Sequence, residues 1–229
     1  MYSQSNRGGY FGNMPFVIKN IIILNALMLL LTFINRSFMI EHFALFYPSS
    51  PFFKPWQILT HIFMHGSFGH LLFNMYALWM FGAVLEQLWG PKKFLLYFLV
   101  TGLGAAAFHM GVQWIEASSY VHAIEAGTQG AAVALEKYRA LMGTPTVGAS
   151  GAVYGVLLAY GMLFPNQELY LMFTPFALKA KYFVIIFAVI ELVLGLIGGG
   201  NVAHFAHLGG MLFGFFLVRY WKKQNRLYY

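Results

Sequence analysis

Six apolar segments set the strongest limit on how this chain can fold. Each is long enough, or nearly so, to cross a bilayer core of about 30 Å. Only 9% of the 229 residues are charged and 59% are hydrophobic, whereas roughly a quarter of the residues of a soluble domain are charged. Lipid offers the backbone no hydrogen-bond partners, and the segments lack the period-two alternation of barrel strands, so we predict helices. The segments are Phe16–Asn35, Phe68–Trp89, Phe94–Trp114, Val147–Phe164, Tyr182–Ile197 and Val202–Trp221.

These segments predict an all-α polytopic membrane protein whose solvent is the lipid bilayer. We expect a short cytoplasmic N-terminal segment at residues 1–15, a six-helix membrane domain at 16–221 and a basic cytoplasmic tail at 222–229. The chain has no cysteine, so disulfides and thiolate metal ligands are excluded. The oligomeric state is left open by the sequence.

The net charge of +7 does not indicate nucleic-acid binding, because lysine and arginine lie beside the ends of the apolar runs and not along one stripe. With a cytoplasmic N-terminus, only Arg36, Lys54, Lys137 and Arg139 of the 14 Lys and Arg residues lie on the outer side. The positive-inside rule therefore predicts that both termini are cytoplasmic. Segment four then begins at the outer side of the membrane.

Ser150 lies at that outer end, in the sequence Gly148-Ala149-Ser150-Gly151. A serine between glycines in a transmembrane helix is usually a packing residue, but a hydroxyl beside a base is a nucleophile. All seven acidic residues are glutamates, so a Ser-His-Asp triad cannot form. The base, and the group that orients it, must therefore be residues other than aspartate.

Three polar side chains are expected at the depth of Ser150. His70 and Asn74 share a helix face because they are four residues apart, and His207 opens segment six from the same side. Polar groups inside a membrane are costly and tend to be functional. The sequence thus supplies a base and two donors for the oxyanion that forms during acyl transfer.

Two stripes of small residues predict that segments four and six pack closely. Gly151 and Gly155 lie beside Ser150, and Gly210 and Gly214 follow His207 at helical spacing. Such stripes let helix backbones approach each other in lipid. We therefore expect His207 within hydrogen-bonding reach of Ser150, with Tyr154, one turn further along, against the imidazole.

Other histidines and one buried-looking glutamate have weaker interpretations. His61 and His65 have a spacing that can bind zinc, but no HExxH motif is present, so no metal site or cofactor is predicted. His204 is interpreted as a loop or cap histidine, because the glycine stripe is in register with His207. Glu191, within segment five, is expected to face segment two or the inner water, without a firm role.

The combination of these motifs resembles the rhomboid family of intramembrane serine proteases. The match rests on His70 and Asn74 in the HxxxN pattern, on Gly148 to Gly151 in the GxSG pattern, and on Ala206-His207 with Gly210 and Gly214 in the AHxxGxxxG pattern. The three motifs stand in the family's order on helices two, four and six, and the resemblance extends from about Pro55 to Phe216. Together they are highly specific, although any one alone would be weak.

The resemblance implies a catalytic dyad of Ser150 and His207 that has no acid. It implies an oxyanion hole formed by His70, Asn74 and the Ser150 backbone N–H, and a base-orienting role for Tyr154. His61 and His65 match family histidines that look structural or water-binding. A multi-pass bacterial inner-membrane protease with its active site opening to the outer side is expected.

Two positions, Gln57 and Glu86, are compared with residues that make structural contacts in the family. Gln57 stands where the family often has an arginine, which puts the packing of the first outer loop in doubt. Glu86 matches a glutamate at the inner end of helix two and is expected to find another partner. The outer connection at residues 116–146, with a helical stretch near Ala131–Met142, is interpreted as a surface excursion without catalytic importance.

The resemblance also implies what such a protein acts on. Relatives cleave single-span membrane proteins near the outer ends of their helices, and access would be lateral, between helices two and five. A rival hypothesis is a catalytically inactive relative that acts as a membrane chaperone or binding protein, although such relatives usually lose the serine or the histidine. A small transporter is a third alternative, disfavoured because no inverted repeat is visible.

Overall fold

A computed structural model describes residues 14–127, 129–170, 177–198 and 204–225. These ranges contain ten α-helices, a 3-10 turn at His61–Phe63, a π-helical turn and one antiparallel strand pair. The helices are α1 (Phe16–Ile34), α2 (Arg36–Phe43), α3 (Gln57–Thr60), α4 (Phe68–Ala77), α5 (Ala83–Trp89), α6 (Pro91–Glu125), α7 (Ala131–Gly143), α8 (Ser150–Leu163), α9 (Ala180–Ile197) and α10 (His204–Lys223), and the strands are β1 (Glu168–Tyr170) and β2 (Ala177–Lys179).

The six apolar segments are confirmed as helices. They correspond to α1, α4 with α5, α6, α8, α9 and α10, and a π-helical turn at Leu78–Gly82 joins α4 to α5. Among the described residues, four helical stretches are long and apolar enough to cross a membrane: Phe16–Ile34, Phe68–Trp89, Pro91–Glu125 and Ala180–Ile197. The chain thus forms an all-α polytopic bundle.

Helix α8 is shorter than a membrane span and lies at the centre of the bundle. It has 14 residues, which rise about 21 Å, whereas the hydrocarbon core is about 30 Å thick. It packs against α6, α9 and α10. If its inner end is at the membrane surface, Ser150 at its outer end lies about 9 Å below the opposite surface.

Helix α6 is longer than the sequence predicts. The apolar run ends at Trp114, but the helix continues to Glu125 and has 35 residues, or about 52 Å. Polar side chains such as Glu116 end the hydrophobic pattern without ending the helix, because they cost a helix in water little. The extension packs against α7, and together they form a helical hairpin. The helix predicted near Ala131–Met142 is confirmed as α7.

The glycine stripes of α8 and α10 meet, as predicted. A Cβ atom added at Gly210 would overlap the backbone carbonyl of Gly151, and one added at Gly214 would lie 3.4 Å from the Cα of Gly155. On the other side of α8, a Cβ at Gly155 would lie 2.7 Å from the Cβ of Thr101 on α6. The helix backbones are therefore as close as glycine permits.

Glu86 finds its partner at the start of α1. Its two carboxylate oxygens accept hydrogen bonds from the backbone N–H groups of Val17 (2.8 Å) and Ile18 (2.9 Å). The first N–H groups of a helix have no partner within the helix, and a negative charge there is stabilised by the helix dipole. Glu86 thus ties the inner end of α5 to α1.

Gln57 holds together the connection between α1 and α4, which is the first outer loop of the sequence analysis. The replacement of the family's arginine by Gln57 therefore does not leave this loop unpacked. Its side chain is fully buried. The Oε1 atom accepts from the backbone N–H of Lys54 at 3.0 Å and lies 3.4 Å from that of Phe46. The Nε2 atom donates to the carbonyls of Glu41 (2.8 Å) and Phe52 (3.0 Å). The amide therefore uses both its donor and its acceptor ends to hold three parts of this connection together.

The strand pair between α8 and α9 is absent from the sequence-based expectation. Glu168 pairs with Lys179 and Tyr170 with Ala177. Three-residue strands are too short to produce a recognisable alternation. The sequence also predicts that Phe173 and Phe176 lie in the inner half of helix five or on the approach to it, but both positions are outside the described residues.

Replacing Gly210 by alanine is expected to destabilise the bundle by about 1–3 kcal/mol, the usual cost of forcing extra atoms into a packed interface. The new methyl group would overlap the Gly151 carbonyl. Thermal unfolding of detergent-purified Gly210→Ala measures the effect. Gly111→Ala is the matched control, because a Cβ at Gly111 on α6 meets no atom within 4 Å. Equal melting temperatures for the two variants would contradict the close contact between α8 and α10.

Candidate active site

Ser150 and His207 form a hydrogen-bonded pair where α8 and α10 approach each other. The His207 Nε2 atom lies 2.7 Å from the Ser150 Oγ. Ser150 is the first residue of α8, and His207 lies in the first turn of α10, one turn before Gly210. The glycine contact between the helices therefore sets the distance between the two side chains. A hydroxyl in this position can pass its proton to a neutral imidazole.

The Tyr154 ring lies flat on the His207 imidazole, as predicted. The ring centroids are 4.2 Å apart and the planes differ by 5°. Tyr154 lies one turn after Ser150 on α8, so one helix presents both the hydroxyl and the stacking ring. The stack restrains rotation of the imidazole and keeps Nε2 directed at Ser150.

The expectation that the histidine has no nearby acid is wrong for this chain. Glu191 on α9 is buried, and its Oε2 atom lies 3.0 Å from the Nδ1 of His207 and 2.6 Å from the Nδ1 of His204. The oxygen lies away from the direction of an N–H on the His207 Nδ1, so this contact is close but not an aligned hydrogen bond. The other oxygen accepts a short hydrogen bond from the Tyr154 hydroxyl.

The interpretations of Glu191 and His204 are corrected by this cluster. Glu191 faces the histidines, not segment two or the inner water. His204 is the first residue of α10 and is 7% exposed, so it is not a loop or cap histidine. The sequence did carry a sign of the cluster, since an ionisable residue within an apolar helix is costly unless it is paired. The partner could not be identified without the packing of α9 against α10.

Three atoms of this cluster are the candidate metal ligands among the described residues. The ligand atoms of Glu191, His204 and His207 lie within 4.8 Å of one another. Tetrahedral zinc with bonds of about 2.0–2.1 Å needs ligand atoms roughly 3.3 Å apart. The separations of 2.6 and 3.0 Å between Oε2 and the two nitrogens suit shared protons better than a shared ion.

His70 and Asn74 lie beside Ser150 in the same cavity. The Asn74 Nδ2 atom donates one hydrogen bond to the His70 carbonyl (2.9 Å) and has a second hydrogen to offer. The backbone N–H of Ser150 is at the N-terminus of α8, where helix N–H groups have no acceptor within the helix. These donors surround the space in front of the Ser150 hydroxyl.

Gly148 keeps that space open. Its φ angle is +135°, which side chains rarely adopt, and a Cβ atom there would lie 2.9 Å from the Cε1 of His70 and 3.4 Å from the Ser150 Oγ. The backbone N–H of Gly148 donates to the His61 carbonyl at 3.0 Å. The glycine is therefore required both by its conformation and by the atoms that face it.

His61 and His65 are buried neutral side chains beneath this loop. Burial lowers the pKa of His61 to about 4 and that of His65 to about 3, because an apolar surrounding disfavours the charged imidazolium. The His61 Nδ1 atom lies 3.0 Å from the Gln57 carbonyl. The His65 ring packs edge-on against His70, with centroids 4.9 Å apart. The two side chains thus pack beside the site, His65 directly against His70.

A cavity of about 920 Å³ opens in front of the Ser150–His207 pair. Its outer wall is formed by the hairpin of α6 and α7, and His109 and Gln113 also line it. The excursion at residues 116–146 is therefore more than a surface feature, because Glu116, Tyr120 and Leu141 face the same cavity as Ser150.

Comparison with known proteins agrees with this architecture. A family model described as the Rhomboid domain matches residues 53–224. RHOMBOID-like protein 12, mitochondrial, of Arabidopsis thaliana is 30% identical over 196 residues, which are 85% of this chain and 55% of that protein. Rhomboid protease GluP of Bacillus subtilis (strain 168) is 30% identical over 163 residues, 70% of this chain and 25% of that protein. The putative rhomboid protease YdcA of the same bacterium is 27% identical over 164 residues, 71% of this chain and 65% of that protein.

The fold and the site thus define a polytopic helical membrane protein with a serine and a histidine paired inside the bundle. The chain belongs to the rhomboid family. It spans about half the length, or less, of the first relatives it matches.

Replacing Gly148 by alanine is expected to displace His70 or the Ser150 loop, because the methyl group would enter the space between them and the φ angle would be strained. We expect labelling of Ser150 by a fluorophosphonate to slow by at least about tenfold, since misplacement by 1 Å can cost a hundredfold. Gly143→Ala is the control, because a Cβ at Gly143 meets no atom within 4 Å. Labelling at the wild-type rate in Gly148→Ala would show that this space is not needed.

Proposed function

We propose that this rhomboid protein is an intramembrane serine endopeptidase that cleaves single-span membrane proteins. The observation that carries the proposal is the 2.7 Å contact between the Ser150 Oγ and the His207 Nε2, in a cavity that also holds the donors of His70 and Asn74. A relative that had only a binding function would not need this arrangement.

The first chemical step forms an acyl-enzyme. The Ser150 hydroxyl attacks the scissile carbonyl carbon while its proton moves to the His207 Nε2. The carbonyl oxygen gains negative charge and is stabilised by the side chains of His70 and Asn74 and by the Ser150 N–H; each such donor is worth about 10²–10³ in rate. The histidine then gives its proton to the leaving amine, and the C–N bond breaks.

The second step uses water. The His207 Nε2 removes a proton from a water molecule whose oxygen attacks the acyl carbon, and the proton returns to the Ser150 oxygen as the ester bond breaks. Water must therefore reach a site that is below the membrane surface. The outward-opening cavity and the polar residues that line it provide that route.

The substrate is proposed to enter from the lipid between α9 and the helix pair α4–α5. Of the four stretches that can cross a membrane, α9 is the least buried, and it packs mainly against α8 and α10. Phe183 near its inner end touches Phe81 at a ring distance of 6.2 Å. Because its packing lies mainly on the α8 and α10 side, movement of α9 away from the α4–α5 pair would leave that packing in place.

The proposed location is a bacterial inner membrane with both termini in the cytoplasm. The distribution of lysine and arginine supports this orientation. It directs the cavity and the α6–α7 hairpin to the outer side, where the outer ends of substrate helices would be cut.

Purified protein is expected to react with a fluorophosphonate, in which the Ser150 oxygen bonds to phosphorus and fluoride leaves. Labelling and cleavage of a single-span substrate in proteoliposomes should both be lost, by at least about 10³-fold, in Ser150→Ala and His207→Ala. Ser119→Ala and His122→Ala serve as controls, since both residues are exposed on α6.

The same experiment distinguishes the rival hypothesis. Binding of the single-span protein without cleavage or labelling by wild-type protein would favour an inactive membrane chaperone. Cleavage that persists in Ser150→Ala would assign the activity to another residue or to a contaminant.

A further inference from the structure

We propose that Glu191 is a positioning residue that holds His207 in the tautomer needed for catalysis and stabilises its protonated form. The inference rests on the proposed protease function. The family resemblance implies a serine–histidine pair that works without an acid, whereas here the carboxylate of Glu191 would assist the pair.

The environment of Glu191 argues that the carboxylate is there for the histidines. The side chain is 6% exposed and lies within α9. Among the described residues, its ion-pair partners are His204 and His207, with no lysine or arginine among them. A buried carboxylate without hydrogen bonds is expensive, so the two imidazoles and the Tyr154 hydroxyl are what stabilise it.

The geometry selects one tautomer of His207. A carboxylate oxygen accepts hydrogen bonds and cannot donate them when ionised. Although Oε2 lies off the axis of an N–H on Nδ1, it is only 3.0 Å from that nitrogen. A lone pair on Nδ1 would therefore lie close to negative charge, whereas an N–H there would be attracted to it. The Nδ1–H form leaves the lone pair on Nε2, which is the atom 2.7 Å from the Ser150 Oγ. Only this tautomer can accept the serine proton.

The neighbours of Glu191 hold the carboxylate in position from two sides. The Tyr154 hydroxyl donates to Oε1, and His204 lies at Oε2. Tyr154 therefore acts twice, since its ring stacks on His207 and its hydroxyl fixes Glu191.

Charge provides the second part of the inference. When His207 takes the serine proton it becomes a cation in a site of low dielectric, where an adjacent carboxylate stabilises it strongly. The titratable groups that face His207 from the packed helices are Tyr154 on α8, Glu191 on α9, His204 on α10, His70 on α4 and His109 on α6. Glu191 is the acidic member of this set that can be negative near neutral pH.

The test compares wild type with Glu191→Gln, which removes the charge and keeps the size. We expect kcat for cleavage to fall about 10–100-fold, less than the roughly 10⁴-fold loss when a fully aligned triad acid is replaced by its amide, while KM changes little. The acidic limb of the pH–rate profile of labelling should move to lower pH, because the imidazolium loses its stabilising partner. EDTA in all assays excludes a metal ion at these atoms.

A second variant keeps the test valid if Glu191→Gln fails to fold. Tyr154→Phe retains the ring that stacks on His207 and removes the hydroxyl that donates to Glu191. We expect a reduction of about 3–10-fold in kcat, since one charge-assisted hydrogen bond is lost. Glu125→Gln is the control for loss of a glutamate, because Glu125 is exposed at the outer end of α6. Thermal unfolding checks that each variant is folded.

The outcomes separate this inference from the proposed function. Folded Glu191→Gln, or folded Tyr154→Phe if the former does not fold, with the wild-type rate and pH profile would overturn the role of Glu191 and leave the protease intact. A wild-type protein that neither labels nor cleaves would overturn the protease itself. A lower rate with an unchanged pH profile would identify Glu191 as a packing residue and also contradict the inference.

Discussion

The backbone contact between α8 and α10 is the interaction on which the rest of the site depends. Gly151 and Gly210 let the two helices approach until a single methyl group would not fit. At this separation the hydroxyl at the start of α8 and the imidazole in the first turn of α10 are 2.7 Å apart. Helices in lipid have little hydrophobic reason to associate, so shape at the glycine stripes must supply the specificity that places the pair.

The second constraint is the length of α8. A 14-residue helix cannot cross a bilayer core, so it must be enclosed by longer helices, and its outer end lies at the bottom of a cavity. If the inner end of α8 is at the membrane surface, a helix of ordinary length would bring Ser150 to the opposite surface, where water would compete for every hydrogen bond. The short helix instead leaves the serine beside the donors of His70 and Asn74, in a cavity of about 920 Å³ that is large enough to hold water.

Several buried polar side chains connect separate elements of the bundle. Gln57 satisfies the loop above the site, and Glu86 caps α1 at the opposite end of the bundle. Glu191, His204 and Tyr154 form a network beside His207. In each case the hydrogen bonds of one polar side chain connect two or more elements. These hydrogen bonds give directional contacts to a bundle that has few charged residues.

Much of this could be predicted from the sequence, because the information is local. Apolar runs fixed the helices within a few residues, and the spacing of Gly151, Gly155, Gly210 and Gly214 predicted which faces would meet. The direction of segments two and six across the membrane predicted that His70, Asn74 and His207 lie at one depth. The predicted end of α6 was wrong, because the apolar pattern stops at Trp114 whereas the helix continues to Glu125.

Only the tertiary structure decided which residue is the partner of Glu191. Its position on an apolar helix shows that it must be paired, but the rotation of α9 against α10 determines that the pair is the proposed catalytic base, and no periodicity in the chain encodes that rotation.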